Sequence, residues 1–179
     1  MSIRPWLDFS AEEHLDFYIR NREAFTAWEP TPPPEFFELR GQRLVREYTR
    51  SESESGRSRV FAVTAADQRI AGRVSITNIV RGAAQSAYLG YLVDAALWGR
   101  GVGTRAVRLT LTQAFTDIGL HRVEASIMPR NARSLRVIEK CGFTRIGLSP
   151  RHLRIAGVWE DHYIYSLTHE DWSAAQQSA

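Results

Sequence analysis

The sequence predicts an α/β protein, a single domain in which a mixed sheet of about seven strands is flanked by about four helices. Three observations lead to this prediction. Strand-like and helix-like stretches follow one another in the order strand, two helices, three strands, helix, strand, helix and two strands. The segment Trp98-Gly99-Arg100-Gly101-Val102-Gly103 joins an apolar run, typical of a buried strand, to a segment with helical periodicity. The 179 residues, 44% of them hydrophobic, suffice for one core and are few for two.

The individual elements rest on local patterns. The predicted strands are residues 3–6, 60–63, 70–79, 87–93, 123–127, 143–148 and 158–167. Ser10 and Glu13 match the capping box of a first helix. A second helix follows the prolines at 32–34, and the polar residues 50–59 predict a solvated loop. Asn131 begins the last predicted helix. We expect one domain over residues 1–172 and a frayed polar tail over 173–179.

The glycine-rich segment has the chemistry of an anion site. Glycine tolerates positive φ and lets backbone N–H groups approach a ligand closely. The first turn of the following helix carries unpaired N–H donors and the positive end of the helix dipole. Together these features suit a phosphate. A tight turn that simply ends in a helix explains the same residues, so the pattern alone leaves both interpretations open. A P-loop is disfavoured because no Gly-Lys-Ser/Thr follows the glycines.

Composition and charge exclude several classes of protein. The formal net charge is only +3, and no Lys/Arg run is interleaved with aromatic residues, which argues against nucleic-acid binding. The single cysteine, Cys141, cannot form an internal disulfide, which favours a reducing compartment. We expect a cytoplasmic protein, since we find neither the apolar core of a signal peptide nor an apolar stretch of membrane-spanning length.

The ordered motifs resemble the GNAT superfamily of acetyltransferases. The resemblance rests on Gly99-Arg100-Gly101-Val102-Gly103, then Asn131-Ala132-Arg133-Ser134, then Glu139-Lys140-Cys141-Gly142-Phe143. The last two are similar to the RimJ/RimL branch. Further stretches are similar to the ribosomal-protein-alanine N-acetyltransferases of that branch. They are Asn21-Arg22, Trp28-Glu29-Pro30, Asn78-Ile79-Val80-Arg81-Gly82, Tyr88-Leu89-Gly90-Tyr91, Gly157-Val158-Trp159-Glu160-Asp161-His162 and Asp171-Trp172. Together they cover nearly the whole chain, from about Trp6 to Trp172.

This resemblance implies acetyl-CoA as the cofactor, bound where two neighbouring strands splay apart. The residues implied to bind it are Leu92 and Val93 for the pantetheine arm, Arg100, Gly101, Val102, Gly103 and Thr104 for the pyrophosphate, Asn131 for the pantetheine region and Ser134 for the acetyl sulfur. Two positions depart from the family pattern. Trp98 stands where Gln or Arg is usual, and Ile138 stands where many members have the tyrosine that serves as general acid. Ser134 therefore remains the candidate acid.

The implied reaction transfers an acetyl group directly from the thioester to an amine, without an acyl-enzyme. The amine must be neutral to attack. A peptide α-amine, with a reference pKa near 8, meets this condition more easily than a lysine near 10.4. A backbone N–H near Val93 is a candidate to stabilise the oxyanion, and Ser134 is a candidate to protonate or hydrogen-bond the departing thiolate. We expect Cys141 to be a small core residue rather than a nucleophile.

Other polar and aromatic residues have two interpretations each. By placement on its strand Glu124 is a candidate base, or else a solvated strand-face carboxylate. His162 with Asp161 suits an acid/base pair, or a structural histidine. Glu29 suits an ammonium group of the acceptor, or a surface position at a helix end. The remaining candidates for the acceptor site are Trp28 and Tyr91, otherwise core residues, and Asn78 and Arg81, otherwise surface residues. Glu160-Asp161-His162 lacks further ligands for a metal site, and no metal is expected.

The sequence therefore favours an acetyl-CoA-dependent N-acetyltransferase for the N-terminal α-amine of a protein such as a ribosomal protein. One alternative is an acetyltransferase for a small amine, an antibiotic or a polyamine. Another is a regulator that binds coenzyme A without turnover. A deep acidic pocket would favour the small amine, and an open groove would favour a peptide. The sequence leaves open whether the protein is a monomer or a homodimer.

Overall fold

The computed structural model describes residues 1–65 and 68–177. Its strands are β1 (Ser2–Pro5), β2 (Arg59–Thr64), β3 (Ile70–Val80), β4 (Ser86–Val93), β5 (Arg122–Ile127), β6 (Thr144–Ile155) and β7 (Val158–Thr168). Its α-helices are α1 (Ala11–Arg20), α2 (Arg22–Thr26), α3 (Leu39–Glu54), α4 (Val102–Thr112), α5 (Ala132–Lys140) and α6 (His169–Gln177). The sequence also predicts a turn over 66–68, of which Ala66 and Asp67 lie outside the described residues, as do the last two residues of the predicted tail.

The seven strands form one mixed sheet in the order β1-β2-β3-β4-β5-β7-β6. Neighbouring strands are antiparallel except β4 and β5, which are parallel. That parallel pair is short, because its register covers only Ser86 to Tyr88 opposite Arg122 to Glu124. β5 then continues along β7 to Ile127, while β4 continues along β3 to Val93. The sheet therefore splits between β4 and β5, as the resemblance predicts.

Local sequence signals explain where the helices begin. Ser10 Oγ accepts a hydrogen bond from the N–H of Glu13, and the Glu13 carboxylate accepts one from the N–H of Ser10, which completes the predicted capping box of α1. The Asn131 side chain caps α5 by accepting a hydrogen bond from the N–H of Ser134 at 3.1 Å. In α4, the glycine Gly101 takes the N-cap position instead, with φ +78°.

Two hydrophobic clusters lie on opposite faces of the sheet. Phe61 and Val63 belong to the cluster under α4 and α5, whereas Ala62, between them in β2, belongs to the cluster with α1. Successive side chains of a strand point to opposite faces, so the split sheet is covered on both sides. The cleft described below is lined by residues of both clusters, such as Val102 of the first and Phe25 of the second.

The structure corrects several boundaries. α3 continues to Glu54, so the first half of the predicted loop over 50–59 is helical, and Arg57 pairs with Glu52 at 2.6 Å just beyond the last turn. There are six described α-helices rather than about four. The first helix, predicted to include Ala24 and Phe25 and to end before Trp28, is divided at Asn21 into α1 and α2, and α6 was not predicted. α6 includes residues 173–177, where a frayed tail was expected. β6 extends to Ile155, seven residues beyond the predicted end at 148, and thereby reaches the cleft.

Candidate active site

A cleft of about 720 Å³ opens where the sheet splits. Its walls include residues of β4 from Tyr88 to Val93 and residues of β5 from Ala125 to Ile127. The glycine-rich loop lines one end, and the loop after α2 together with the β6–β7 hairpin lines the other. The separation of two strands therefore creates a groove between the glycine-rich loop and the residues near Trp28, which we call the acceptor end because acceptor contacts are predicted there.

The glycine-rich loop is built for close approach of a ligand. Gly99 and Gly101 have φ of +76° and +78°, a conformation that other residues rarely adopt. A Cβ atom added at Gly101 would meet nothing within 4 Å, so the space before the helix is open. No side chain caps α4 among the described residues. The first-turn N–H groups of Val102, Gly103 and Thr104 are thus available to an anion.

Arg100 differs from the other predicted residues of this loop. Its N–H donates to the carbonyl oxygen of Leu97 at 3.4 Å, and its side chain is exposed and outside the cleft lining. The N–H of Arg100 therefore has a partner within the chain, and its binding to a pyrophosphate stays a prediction. Additional positive charge comes from α5, where Arg133, Arg136 and Lys140 line the same end of the cleft. These three residues are spaced by three and four, which places them on one face of the helix. This spacing is present in the sequence, but the sequence-based prediction did not include a basic helix face.

Ser134 and Asn131 lie beside the strand backbone of Leu92 and Val93 in the cleft. Tyr91, predicted to contact the acceptor, instead points towards α5, and its hydroxyl oxygen lies 2.6 Å from Ser134 Oγ. Burial raises the pKa of the Tyr91 hydroxyl, so the phenol stays protonated. The two hydroxyls form a hydrogen-bonded pair at the middle of the cleft.

Trp98 makes contacts through both its indole N–H and the face of its ring. The Nε1 donates to the carbonyl oxygen of Val93 at 2.9 Å, and the Arg133 guanidinium lies 3.8 Å from the ring centroid. Arg133 also lies 5.9 Å from the ring of Trp28, on the acceptor side. Stacking of this kind stabilises by about 0.5–1 kcal/mol at exposed sites. The indole therefore ties the glycine-rich loop both to β4 and to α5.

Glu29 lies in the acceptor end of the cleft, together with Trp28, Asn78 and His162. Burial raises the pKa of the Glu29 carboxyl to about 7, although the positive charge of Arg73 acts in the opposite direction. Glu29 thus changes its charge near neutral pH. A carboxyl with this property in a cleft has the pKa expected of a general base.

His162 is nearly fully buried and accompanied by a second histidine that was not predicted. Its Nδ1 donates to the carbonyl oxygen of Glu160 at 3.0 Å, which leaves Nε2 as the acceptor of the neutral ring. Burial lowers its pKa, and His152, whose ring centroid is 5.3 Å away, adds to this effect. His152 also lines the cleft. It was missed because the predicted strand ended four residues before it.

Two predicted site residues lie elsewhere. Glu124 is outside the cleft lining, where it forms an ion pair with Arg122 at 2.8 Å. Arg81 is also outside the lining and donates to the carbonyl oxygen of Ile118 at 2.8 Å, just after the π-helical turn that follows α4. Cys141, partly buried against the core, is outside the lining too, and burial raises the pKa of its thiol to about 11. None of the three is brought to the reaction site.

Comparison with known proteins agrees with this architecture. Residues 2–144 match the model of the acetyltransferase (GNAT) domain. The chain belongs to the GNAT acetyltransferase family. It is 38% identical to the probable N-acetyltransferase YjcK of Bacillus subtilis over 94% of each chain. It is 28% identical to the [ribosomal protein uS5]-alanine N-acetyltransferase of Escherichia coli over 93% of this chain and 86% of that one.

The solved structure of Mycobacterium smegmatis RimJ in complex with CoA-disulfide superposes with a TM-score of 0.87 and 27% identity, covering 97% of this chain and 88% of that one. Together with the uS5 relative, it agrees with the predicted RimJ/RimL branch of the GNAT superfamily. In this GNAT domain the glycine loop, the split strands and the basic face of α5 suit a ligand that carries phosphates at one end and an extended arm. The position of the usual tyrosine, Ile138, is completely buried, which confirms that α5 presents no phenol to the cleft.

None of the described helices is long and apolar enough to span a bilayer.

Proposed function

We propose that this GNAT enzyme transfers the acetyl group of acetyl-CoA to the N-terminal α-amine of a protein, with a ribosomal protein as the model acceptor. The observation that carries the proposal is the charge of the cleft. Among the described lining residues Glu29 is the one carboxylate, whereas Arg133, Arg136 and Lys140 are cationic. A polyamine carries several ammonium groups and needs several carboxylates, but a protein N-terminus presents a single ammonium group.

The pKa of Glu29 supports the choice of an α-amine. We assign to its carboxylate the binding of the acceptor ammonium and the uptake of its proton. From an α-amine with a pKa near 8 to a carboxylate near 7, this transfer is uphill by about 1.4 kcal/mol. From a lysine near 10.4 it is uphill by about 4.6 kcal/mol. The difference favours the α-amine by about two to three powers of ten.

The other residues of the cleft take the following roles in the proposal. Acetyl-CoA supplies the acetyl group as a thioester. The N–H groups from Gly101 to Thr104 hold its pyrophosphate, and Asn131 with the backbone of Leu92 and Val93 holds its pantetheine arm. The N–H of Val93 stabilises the oxyanion. Ser134 donates a hydrogen bond to the departing sulfur.

The proposal also assigns residues at the acceptor end of the cleft to binding of the acceptor. Trp28, Asn78 and His162 contact the first residues of the acceptor. The names of the uS5-alanine and RimJ relatives support a ribosomal-protein acceptor.

Intact-mass spectrometry of N-terminal peptides tests the acceptor. Peptides that begin with Ala, Ser or Thr are expected to gain one acetyl group. Controls with a blocked α-amine and a free lysine, and polyamines, are expected to react at least about a hundredfold more slowly, as the pKa argument requires. Acetylation confined to small amines would reject the peptide acceptor. Coenzyme A binding without transfer to any amine would instead support the silent regulator.

A further inference from the structure

Tyr91 and Ser134 share hydrogen bonds across the cleft, from strand β4 to helix α5. The Tyr91 Oη atom lies 2.6 Å from Ser134 Oγ and 3.2 Å from the carbonyl oxygen of Ser134. Both residues line the cleft, as do Leu92 and Val93. Tyr91, predicted to contact the acceptor, has no role in the proposed function.

The Tyr91 O–H has two possible acceptors, and the choice decides what Ser134 can do. If the phenol donates to the serine carbonyl, the serine O–H is free to donate back to the phenol oxygen and is then occupied. If the phenol donates to Ser134 Oγ, the serine keeps its own hydrogen for a third partner. The second arrangement uses the shorter distance, 2.6 Å against 3.2 Å.

We propose that Tyr91 is a positioning residue, which donates to Ser134 Oγ and thereby directs the serine O–H at the sulfur of acetyl-CoA. The inference rests on the proposed function, because it concerns the departure of the thiolate. The bond to the acetyl carbon breaks with its electron pair on sulfur, and Ser134 stabilises that charge by a hydrogen bond. The proton that the thiol finally takes up is the one released by the acceptor amine, carried by Glu29 or solvent.

Tyr91 therefore does not lose its proton. Burial raises the pKa of its hydroxyl, which opposes formation of a phenolate and favours permanent donation. This distinguishes the role from that of a general acid. It also gives Ser134 a phenol partner although α5 has no tyrosine at position 138. Ile138 is buried in the core, and the Tyr91 phenol contacts Ser134 from strand β4 instead.

The pKa of the thiol of bound coenzyme A tests this inference without any acceptor. It is followed by thiolate ultraviolet absorbance, with the S-methyl coenzyme A complex as the blank. A hydrogen bond from Ser134 lowers this pKa, so Tyr91→Phe is expected to raise it by about half to one unit. Ser134→Ala is expected to raise it at least as much, and the double variant is expected to equal Ser134→Ala. Tyr48→Phe, on the exposed face of α3, is the matched control.

Steady-state kinetics with the N-terminal peptide give a second readout. Tyr91→Phe is expected to lower kcat about five- to tenfold and to change the KM for acetyl-CoA less than about twofold. An unchanged thiol pKa in Tyr91→Phe, or losses that multiply in the double variant, would overturn the role, because a packing effect does not depend on Ser134. A shifted thiol pKa with an unreactive peptide would reject the acceptor and leave the role of Tyr91 standing.

The unaltered enzyme offers a test that does not depend on the folding of any variant. In a crystal structure of its coenzyme A complex, Ser134 Oγ is expected within hydrogen-bond distance of both the sulfur and Tyr91 Oη. A sulfur more than about 4 Å from Ser134 Oγ would overturn the inference.

Discussion

Replacing Glu29 by glutamine tests the proposed base and predicts a change in the shape of the pH profile. In the wild type, kcat/KM for an N-terminal peptide requires an ionised Glu29 and a protonated acceptor, so it rises through pH 7 and falls through the amine pKa near 8. In Glu29→Gln the neutral amine must come from solution, so kcat/KM rises through pH 8 and then stays level. We expect a loss of about a hundredfold at pH 7 that shrinks by pH 9.

The same substitution is expected to stabilise the fold. A folded pKa of about 7, against 4.5 for the ordinary carboxyl, means that the folded state binds more protons than the unfolded state between these pH values. Stability therefore falls as pH rises through this window, by about 3 kcal/mol in total. Glutamine does not ionise, so Glu29→Gln is expected to be more stable than wild type by up to that amount at pH 8 and about equal to it at pH 4.

Chemical denaturation at both pH values and a spectrophotometric assay of thiol release measure the two effects. Glu35→Gln, an exposed carboxylate outside the cleft lining, is the control and is expected to change neither. A bell-shaped profile retained in Glu29→Gln would refute the assignment of the base. A variant no more stable than wild type at pH 8 would refute the claim that burial raises the Glu29 pKa.

Three further predictions follow from the structure. Gly101→Ala, at φ +78°, is expected to cost about 1–2 kcal/mol of stability and to weaken acetyl-CoA binding about tenfold in calorimetry. Burial lowers the pKa of His14 to about 4, so below pH 6.5 the unfolded state binds a proton that the folded state does not. Unfolding titrations should therefore show about 2 kcal/mol less stability at pH 5 than at pH 8. This loss is expected to be absent in His14→Gln. Ile138→Tyr is expected to destabilise by about 1–3 kcal/mol in thermal unfolding without raising kcat, because the site is completely buried.

The succession of strands along the chain and the position of the glycine loop were predictable because both depend on local signals. Apolar runs of strand length, the Ser10–Glu13 capping box and the glycines at 99 and 101 each fix a short segment through its own residues. The division of the predicted first helix into α1 and α2 at Asn21 left no signal in the periodicity of its apolar residues. The end of α3 was not predicted because its sequence is polar. α3 is held by tertiary packing, as its buried Gln42 and Thr49 show, and periodicity of apolar residues does not report this.

The predicted site residues divide in the same way, into those that local sequence signals place and those that depend on tertiary contacts. Those on the loop and at the start of α5 depend on one element each, and the structure places all of them except Arg100 in the cleft. Glu124 and Arg81 were placed by strand position alone. Glu124 instead pairs with Arg122, two residues earlier in β5, and Arg81 bonds to the carbonyl oxygen of Ile118, 37 residues away in the chain. Tyr91 shows the same limit, because its partner Ser134 lies 43 residues away in the chain.

Contacts of helix α5 and of Arg130, just before it, connect the two ends of the cleft. Arg130, just before the helix, donates to the carbonyl oxygen of Ala27 at 3.0 Å and pairs with Glu160 at 2.8 Å, which holds the loop with Glu29 against the β6–β7 hairpin. Arg133, within its first turn, stacks on Trp98 of the glycine loop. The loop with the proposed base Glu29 and the glycine-rich loop are thus both held by residues in α5 or just before it, and α5 also carries Ser134. A tryptophan in place of the usual polar residue leaves the backbone donors of the loop unchanged and adds this connection.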